Sequence, residues 1–133
     1  MAASDSDESC HNRRKTVYDL FQEVARRPRK EATEDGKMVF GANGNCAVFF
    51  LRVANGRIKE AWFKCTSCFT LVALCQHLSE LAIGLSGEEA QKLGPDLLVR
   101  LHPEVPSHLH NRAALACAAL QAAIQTVKEG GNP

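Results

Sequence analysis

The sequence predicts an α+β fold: a three-stranded antiparallel sheet packed with helices. Three observations point there. Residues Cys46 to Val53 read as a strand, an apolar run whose side chains fall on two faces at a two-residue period. Asn55-Gly56 follows, a two-residue hairpin signal, and Ile58 to Lys64 returns as the next strand. Helical spacing of apolar residues then governs most of what flanks this hairpin. The chain has 133 residues, of which 45% are apolar, enough for one domain with its own core.

In chain order, residues 1–13 read as a flexible, polar and acidic tail, and 14–130 as a single domain. Cys10 and His11 fall in the tail and are taken as incidental. Thr16 and Asp19 form a capping box for a first helix, whose inward face is Val17, Leu20, Phe21, Val24 and Ala25. Pro28 stops it, and a polar loop runs from Lys30 to Gly36. Lys37 to Phe40 is a short strand. Gly41-Ala42-Asn43-Gly44-Asn45 supplies the residues that tolerate positive φ in a turn. On the second strand Ala47, Phe49, Leu51 and Val53 face one way, and Cys46, Val48, Phe50 and Arg52 the other. On the third, Ala61 and Phe63 alternate with Trp62 and Lys64. If helices cover only the first face, Val48, Phe50 and Trp62 form an apolar patch open to a partner or to a second copy of the chain. The alternative is that the first helix or a loop covers them.

A helix follows from Ser67 to Ile83, with a stripe at Cys68, Leu71, Val72, Cys75, Leu78 and Ala82, stopped by Gly84. Ser86-Gly87-Glu88-Glu89 is a capping box for a short helix to Leu93. Pro95 to Leu101 makes another, with proline in its first turn. A long Ala-rich helix from Ser107 to Lys128 turns Leu115, Leu120, Ile124 and Val127 inward, and Gly130-Gly131 ends it.

The formal net charge of +1 and the lack of a dominant basic stripe argue against nucleic acid as a partner. No apolar run reaches the roughly 20 residues that span a bilayer. The N-terminus has neither a secretory signal nor an Arg-rich transit peptide, so the expected location is cytoplasmic. Six cysteines in such a compartment point to metal binding, reactivity or burial rather than disulfides. The stretch Phe63-Lys64-Cys65-Thr66-Ser67-Cys68 is the chemical centre. It places two thiols at a strand-to-helix junction, and a helix N-terminus favours thiolates. Cys46, at the start of the preceding strand, is expected to converge with Cys65 and Cys68 at one end of the hairpin. Thiolates suit iron–sulfur units and zinc. A closed site needs a fourth donor, which His108 or His110, just before the last helix, could supply; the candidate metal-ligand set is Cys46, Cys65, Cys68 and His110. Cys75 and Cys117 read as core residues, His77 as solvated and His102 as a loop residue.

The order of elements resembles the iron–sulfur cluster scaffold family of the NifU N-terminal domain and IscU, the SufE/NifU fold. The matching features are Arg27-Pro28-Arg29 after the first helix, the Gly-rich turn into Cys46, and Ala61-Trp62-Phe63-Lys64 at the hairpin's end. Cys68 opening the next helix and Ala113-Ala114-Leu115-Ala116 in the last helix complete them. The resemblance covers about residues 16–128. It implies a divergent scaffold or carrier, not an enzyme, that holds a transient [2Fe–2S] cluster, or zinc in its place. A cysteine desulfurase would supply the sulfur, and apo iron–sulfur proteins would receive the cluster. Cys46 and Cys68 match two family cysteines. Val48 stands at the family aspartate and Arg112 at the third cysteine, while Cys65 has no family counterpart. Zinc–thiolate binding, persulfide acceptance and metal-free regulation of a desulfurase are the competing readings. A thioredoxin-like oxidoreductase fits poorly, because its Cys-x-x-Cys follows a parallel strand.

Overall fold

The structure is a computed structural model that describes residues 15–26 and 37–130. The tail at 1–13 with Cys10 and His11, Arg27-Pro28-Arg29 and the loop at 30–36 lie outside the described residues. Helix α1 spans Val17–Arg26, strand β1 Val39–Phe40, β2 Cys46–Ala54 and β3 Arg57–Cys65. Helix α2 spans Phe69–Ala82, α3 Gly87–Ala90, α4 Pro95–Leu101 and α5 Asn111–Gly130. Single 3-10 turns occur at Ala42–Gly44 and Ser107–Leu109.

The α+β expectation holds: the sheet is antiparallel in the order β1-β2-β3. Two left-handed residues, Asn55 (φ 56°) and Gly56 (φ 75°), close the β2–β3 hairpin, as the right-handed twist of the strands requires. The register starts with Ala54 opposite Arg57 and Val53 opposite Ile58. It then slips, so that Arg52 faces Glu60 and Lys59 is the extra residue of a bulge. From there to the far end every β3 side chain is displaced by one position, and Ala47 faces Cys65. Val53 shares the face of Leu51, as expected, and lines a pocket with Leu51, Ile58 and Ile124, but it stays exposed there.

Ala47, Phe49, Leu51, Ile58 and Ala61 form the inner sheet face and are buried against α2 and α5. Phe49 lies 5.8 Å, ring centre to ring centre, from its cross-strand partner Phe63. From α5, Leu115, Leu120 and Ile124 enter this core as expected. Helix α2 buries more than one stripe because it packs on two sides. Leu71, Leu74, Cys75 and Leu78 join the sheet core, while Ala73 meets Val17 and Leu20 of α1 together with Val105. The reciprocal bonds Thr16 N–H to Asp19 Oδ2 (3.0 Å) and Asp19 N–H to Thr16 Oγ1 (3.1 Å) cap the start of α1.

On the outer sheet face Val48, Phe50 and Trp62 form a separate buried cluster, with Phe50 stacked on Trp62. Each is less than a tenth exposed, so the open apolar patch is not there. Helix α1 belongs to a different cluster, built on Ala73 of α2. Past α2, Gly84 takes φ 93° and turns the chain back onto β3. There Gly84 N–H donates to the Ile58 carbonyl, and Ile58 N–H to the Leu85 carbonyl, both at 2.8 Å. The capping box on α3 is formed, with Glu89 N–H on Ser86 Oγ and Ser86 N–H on Glu89 Oε1.

Candidate functional site

Thr66, the residue between the sheet and α2, organises the cysteine end of the hairpin. Its hydroxyl accepts the Cys46 N–H at 2.7 Å, and its own N–H donates to the Cys46 carbonyl at 3.0 Å. The same hydroxyl proton has two acceptors in reach, the Cys46 carbonyl at 3.2 Å and Cys46 Sγ at 3.6 Å. The Thr66 carbonyl accepts the Cys68 N–H at 2.7 Å. Cys68 then stands at the N-cap of α2 in extended conformation, with its side chain free of any capping bond. Cys46 and Cys68 are thus brought to one end of the molecule through a shared neighbour.

The pleat separates Cys65 from Cys46. Residues directly opposite share a face, so Cys65 lies with Ala47 on the inner face, while Cys46 lies beside exposed Phe40 and Thr66 on the outer one. Had the register at the turn continued without the bulge, Cys46 and Cys65 would be opposite each other on one face. Cys65 instead packs against the main core behind the sheet, to which Cys75 of α2 belongs. The neighbouring Cys75 thiol lowers the Cys65 pKa from the usual thiol range, outweighing the opposing effect of burial. Burial pushes Cys75 well above the usual range, with further upward pushes from the nearby sulfurs of Cys65, Cys117 and Cys68. Burial alone raises Cys117 to about 12. Cys75 and Cys117 are core residues, as expected.

His110 ends the 3-10 turn before α5, and its Nε2–H donates to the Val105 carbonyl at 3.3 Å. That leaves Nδ1 as the nitrogen with a free lone pair. His108 is exposed. Arg112 bonds Asn111 Oδ1 through Nη1 at 2.8 Å, and its buried Nε meets no acceptor in the protein. Val48 is packed in the apolar cluster of the outer face, an environment that would penalise a carboxylate. Among the described residues, no three His, Cys, Asp or Glu side chains stand together as a group able to hold a metal ion. The donors are chemically suited to iron–sulfur units or zinc, but they must move relative to one another to share a guest.

A second polar constellation escaped the sequence reading. His102 is a loop residue, as expected, but completely buried, and His77, expected to be solvated, is half-buried. His77 Nδ1 lies 2.7 Å from His102 Nε2, and His102 Nδ1 lies 3.3 Å from Glu104 Oε2. The same carboxylate oxygen accepts the Val17 N–H at 2.9 Å, at the start of α1. A carboxylate only accepts, which sets the tautomers: His102 donates through Nδ1, and its Nε2 accepts from His77 Nδ1–H. Burial lowers the His77 pKa to about 4; the neighbouring His102 and the Lys15 ammonium work in the same direction, against Glu23. Burial of Glu104 favours the neutral acid, but hydrogen bonds from its own backbone, Val17 and His102 prevail and lower its pKa. The two histidines are 25 residues apart, and no local pattern pairs them.

The family described as the NifU-like N terminal domain matches residues 12–130. No curated protein matches the sequence. Among solved structures, a hypothetical protein is similar at TM-score 0.64 and 17% identity, over 82% of this chain and 96% of its own. A nitrogen-fixing NifU-like protein (N-terminal) from Brucella abortus is similar at TM-score 0.63 and 13% identity, over 86% and 92% respectively. The family match takes in nearly all of the described fold, including Cys46, Thr66 and Cys68, and the chain belongs to the NifU-like N-terminal domain family.

Proposed function

We propose that this protein is an iron–sulfur cluster assembly scaffold or carrier, with a transient [2Fe–2S] cluster as its cargo rather than a resident cofactor. The observation that carries this reading is the meeting of Cys46 and Cys68 on Thr66, in a chain of the NifU-like family. These two thiols supply the soft donors, and His110 Nδ1 and Cys65 are the candidates to complete the set. Because the donors are not held in one rigid cage, loading and release both require small movements at the β3–α2 junction. That suits cargo that has to leave. A cysteine desulfurase is the expected sulfur source, and apo iron–sulfur proteins are the expected recipients. No helix among the described residues is long and apolar enough to cross a membrane. In this reading the protein works in the cytoplasm, where thiols remain reduced.

Anaerobic reconstitution with iron and sulfide tests the proposal. Wild-type protein should develop a cluster chromophore that Cys46→Ser and Cys68→Ser each weaken or abolish. A chromophore untouched by Cys46→Ser, Cys65→Ser and Cys68→Ser alike would overturn the site.

The lowered pKa of the Cys65 thiol favours a second reading, a sulfur carrier that accepts a persulfide. Metal and sulfide analysis of protein purified without air separates the possibilities. Iron with sulfide supports the scaffold, zinc alone a zinc–thiolate protein, and neither a regulatory partner of the desulfurase.

A further inference from the structure

At the turn end of the hairpin, away from Cys46, the inner sheet face and helices α3 and α5 enclose a cavity of about 280 Å³. Val53 lies seven residues along β2 from Cys46, roughly 23 Å at the rise of a strand, so this cavity is separate from the thiols. Leu51, Ile58 and Ile124 form its floor and are buried members of the main core. Val53 and Val127 form its walls nearer to solvent. The space exists because the rim is made of small residues. Gly56 of the turn, and Ser86 and Gly87 at the start of α3, are too short to fill it. A floor sunk into the core makes this a pocket rather than a flat apolar face. Among the described lining residues, Glu88 alone is charged. It is exposed, and unlike its neighbour Glu89, which pairs with Arg57 at 3.4 Å, it has no ion-pair partner among the described residues. The last turn of α5, to which Val127 belongs, adds the partial negative charge of its carbonyl end.

We propose that this cavity is a binding site for a small apolar amine: a hydrocarbon or aromatic body held against Leu51, Ile58 and Ile124, with one ammonium group at the mouth beside Glu88. Size sets the body. An apolar cavity of about 150 Å³ holds benzene, so one of about 280 Å³ holds roughly eleven non-hydrogen atoms. That admits a fused two-ring system and is too small for a nucleotide or for a lipid with its headgroup. The walls set its polarity. Their branched aliphatic side chains offer dispersion contacts and no hydrogen-bonding groups. Ser86 is committed to the capping box, accepting the Glu89 N–H at 3.1 Å. Charge sets the head group. An acid on the same body would bring a second negative charge to Glu88 and to the end of α5, whereas an amine brings the opposite one. Binding makes and breaks no covalent bond, and neither Cys46 nor Cys68 takes part in it.

The test is a methyl NMR titration of the full-length protein with tryptamine, tryptophol and indolepropionate, three probes that share one ring system and carry a cationic, a neutral and an anionic end. The methyls of Leu51, Val53, Ile58, Ile124 and Val127 should shift together and saturate in the millimolar range or below, with tryptamine binding tightest and indolepropionate weakest. Glu88→Gln should weaken tryptamine by about two- to five-fold, the range of a solvent-exposed charge pair, and leave tryptophol unchanged. Val53→Trp, which fills the cavity from its exposed wall, should abolish the shifts at Ile58 and Ile124 for all three probes while the urea unfolding midpoint holds or rises. Glu88→Gln changes only an exposed side chain, so the ranking of probes remains a test even where Val53→Trp does not fold. Absence of saturable shifts at the cavity methyls would overturn the site, as would shifts centred on the exposed methyls of Met38 and Ile83 instead. Indolepropionate binding as tightly as tryptamine would overturn the assignment of an amine.

Discussion

Acidification should weaken this fold through His77 before most carboxylates titrate. The folded-state pKa of His77 lies at about 4, below the ordinary 6.5, because the half-buried ring is costly to charge. A group depressed in this way stabilises the fold fully above pH 6.5. That contribution is lost progressively as pH falls from 6.5 through about 4, because the unfolded chain binds the proton first. The gap between the two pKa values sets a ceiling of roughly 3.4 kcal/mol at 1.36 kcal/mol per unit. Water still reaches the ring, and screening reduces the expected loss to about 1–2 kcal/mol. The assay is urea unfolding followed by far-UV circular dichroism at a series of pH values across this window. His77→Asn is the reference, since its Nδ2–H can stand in for Nδ1–H toward His102 and does not titrate. The depressed carboxylates Glu80 and Glu104 lose their own contributions at lower pH, but they do so in both proteins and cancel in the difference. The wild type should lose about 1–2 kcal/mol more than the variant between pH 6.5 and 4. Parallel curves, or a wild type that gains on the variant as pH falls, would refute the assignment.

Two further perturbations test the core and the cysteine end. Phe49→Ala removes a ring that is 1% exposed and packed on Phe63, and should cost about 3–5 kcal/mol in urea unfolding at neutral pH; a loss under about 1 kcal/mol would mean that the core is not built on this face. Thr66→Val leaves the Cys46 N–H without its 2.7 Å acceptor and should cost about 1–3 kcal/mol, with Thr66→Ser restoring most of it; equal stability of all three proteins would remove Thr66 as the organiser of the site.

Much of the fold was legible because its signals are local. Asn55-Gly56 forms the turn because both residues accept positive φ, and the Ser86/Glu89 and Thr16/Asp19 boxes form where the spacing puts them. The helix after Cys68 starts and stops within two residues of its expected ends. Alternation along β2 assigned Ala47, Phe49 and Leu51 to one face and Val48 and Phe50 to the other, and both sets are buried in separate clusters.

The site was only half legible, and the register explains why. Proximity of Cys46 and Cys68 follows from strand lengths and a tight turn, which the sequence carries. The face on which Cys65 lies depends on parity along β3, and one extra residue at Lys59 reverses it. No residue type near Lys59 announces a bulge. It is decided by packing, because it brings both Ile58 and Ala61, three positions apart, onto the core face.

The amino-acid sequence by itself determined the α+β class, the hairpin, the helix caps and the residence of Cys46 and Cys68 at one end, since each depends on neighbours within a few positions. Only the tertiary structure decided that Cys65 turns inward with Ala47, that Val48 is buried where the resemblance places an aspartate, and that His77, His102 and Glu104 form one hydrogen-bonded chain to the start of α1. Those contacts join residues on different elements. They are set by how the elements stack and in what register, which no local pattern encodes.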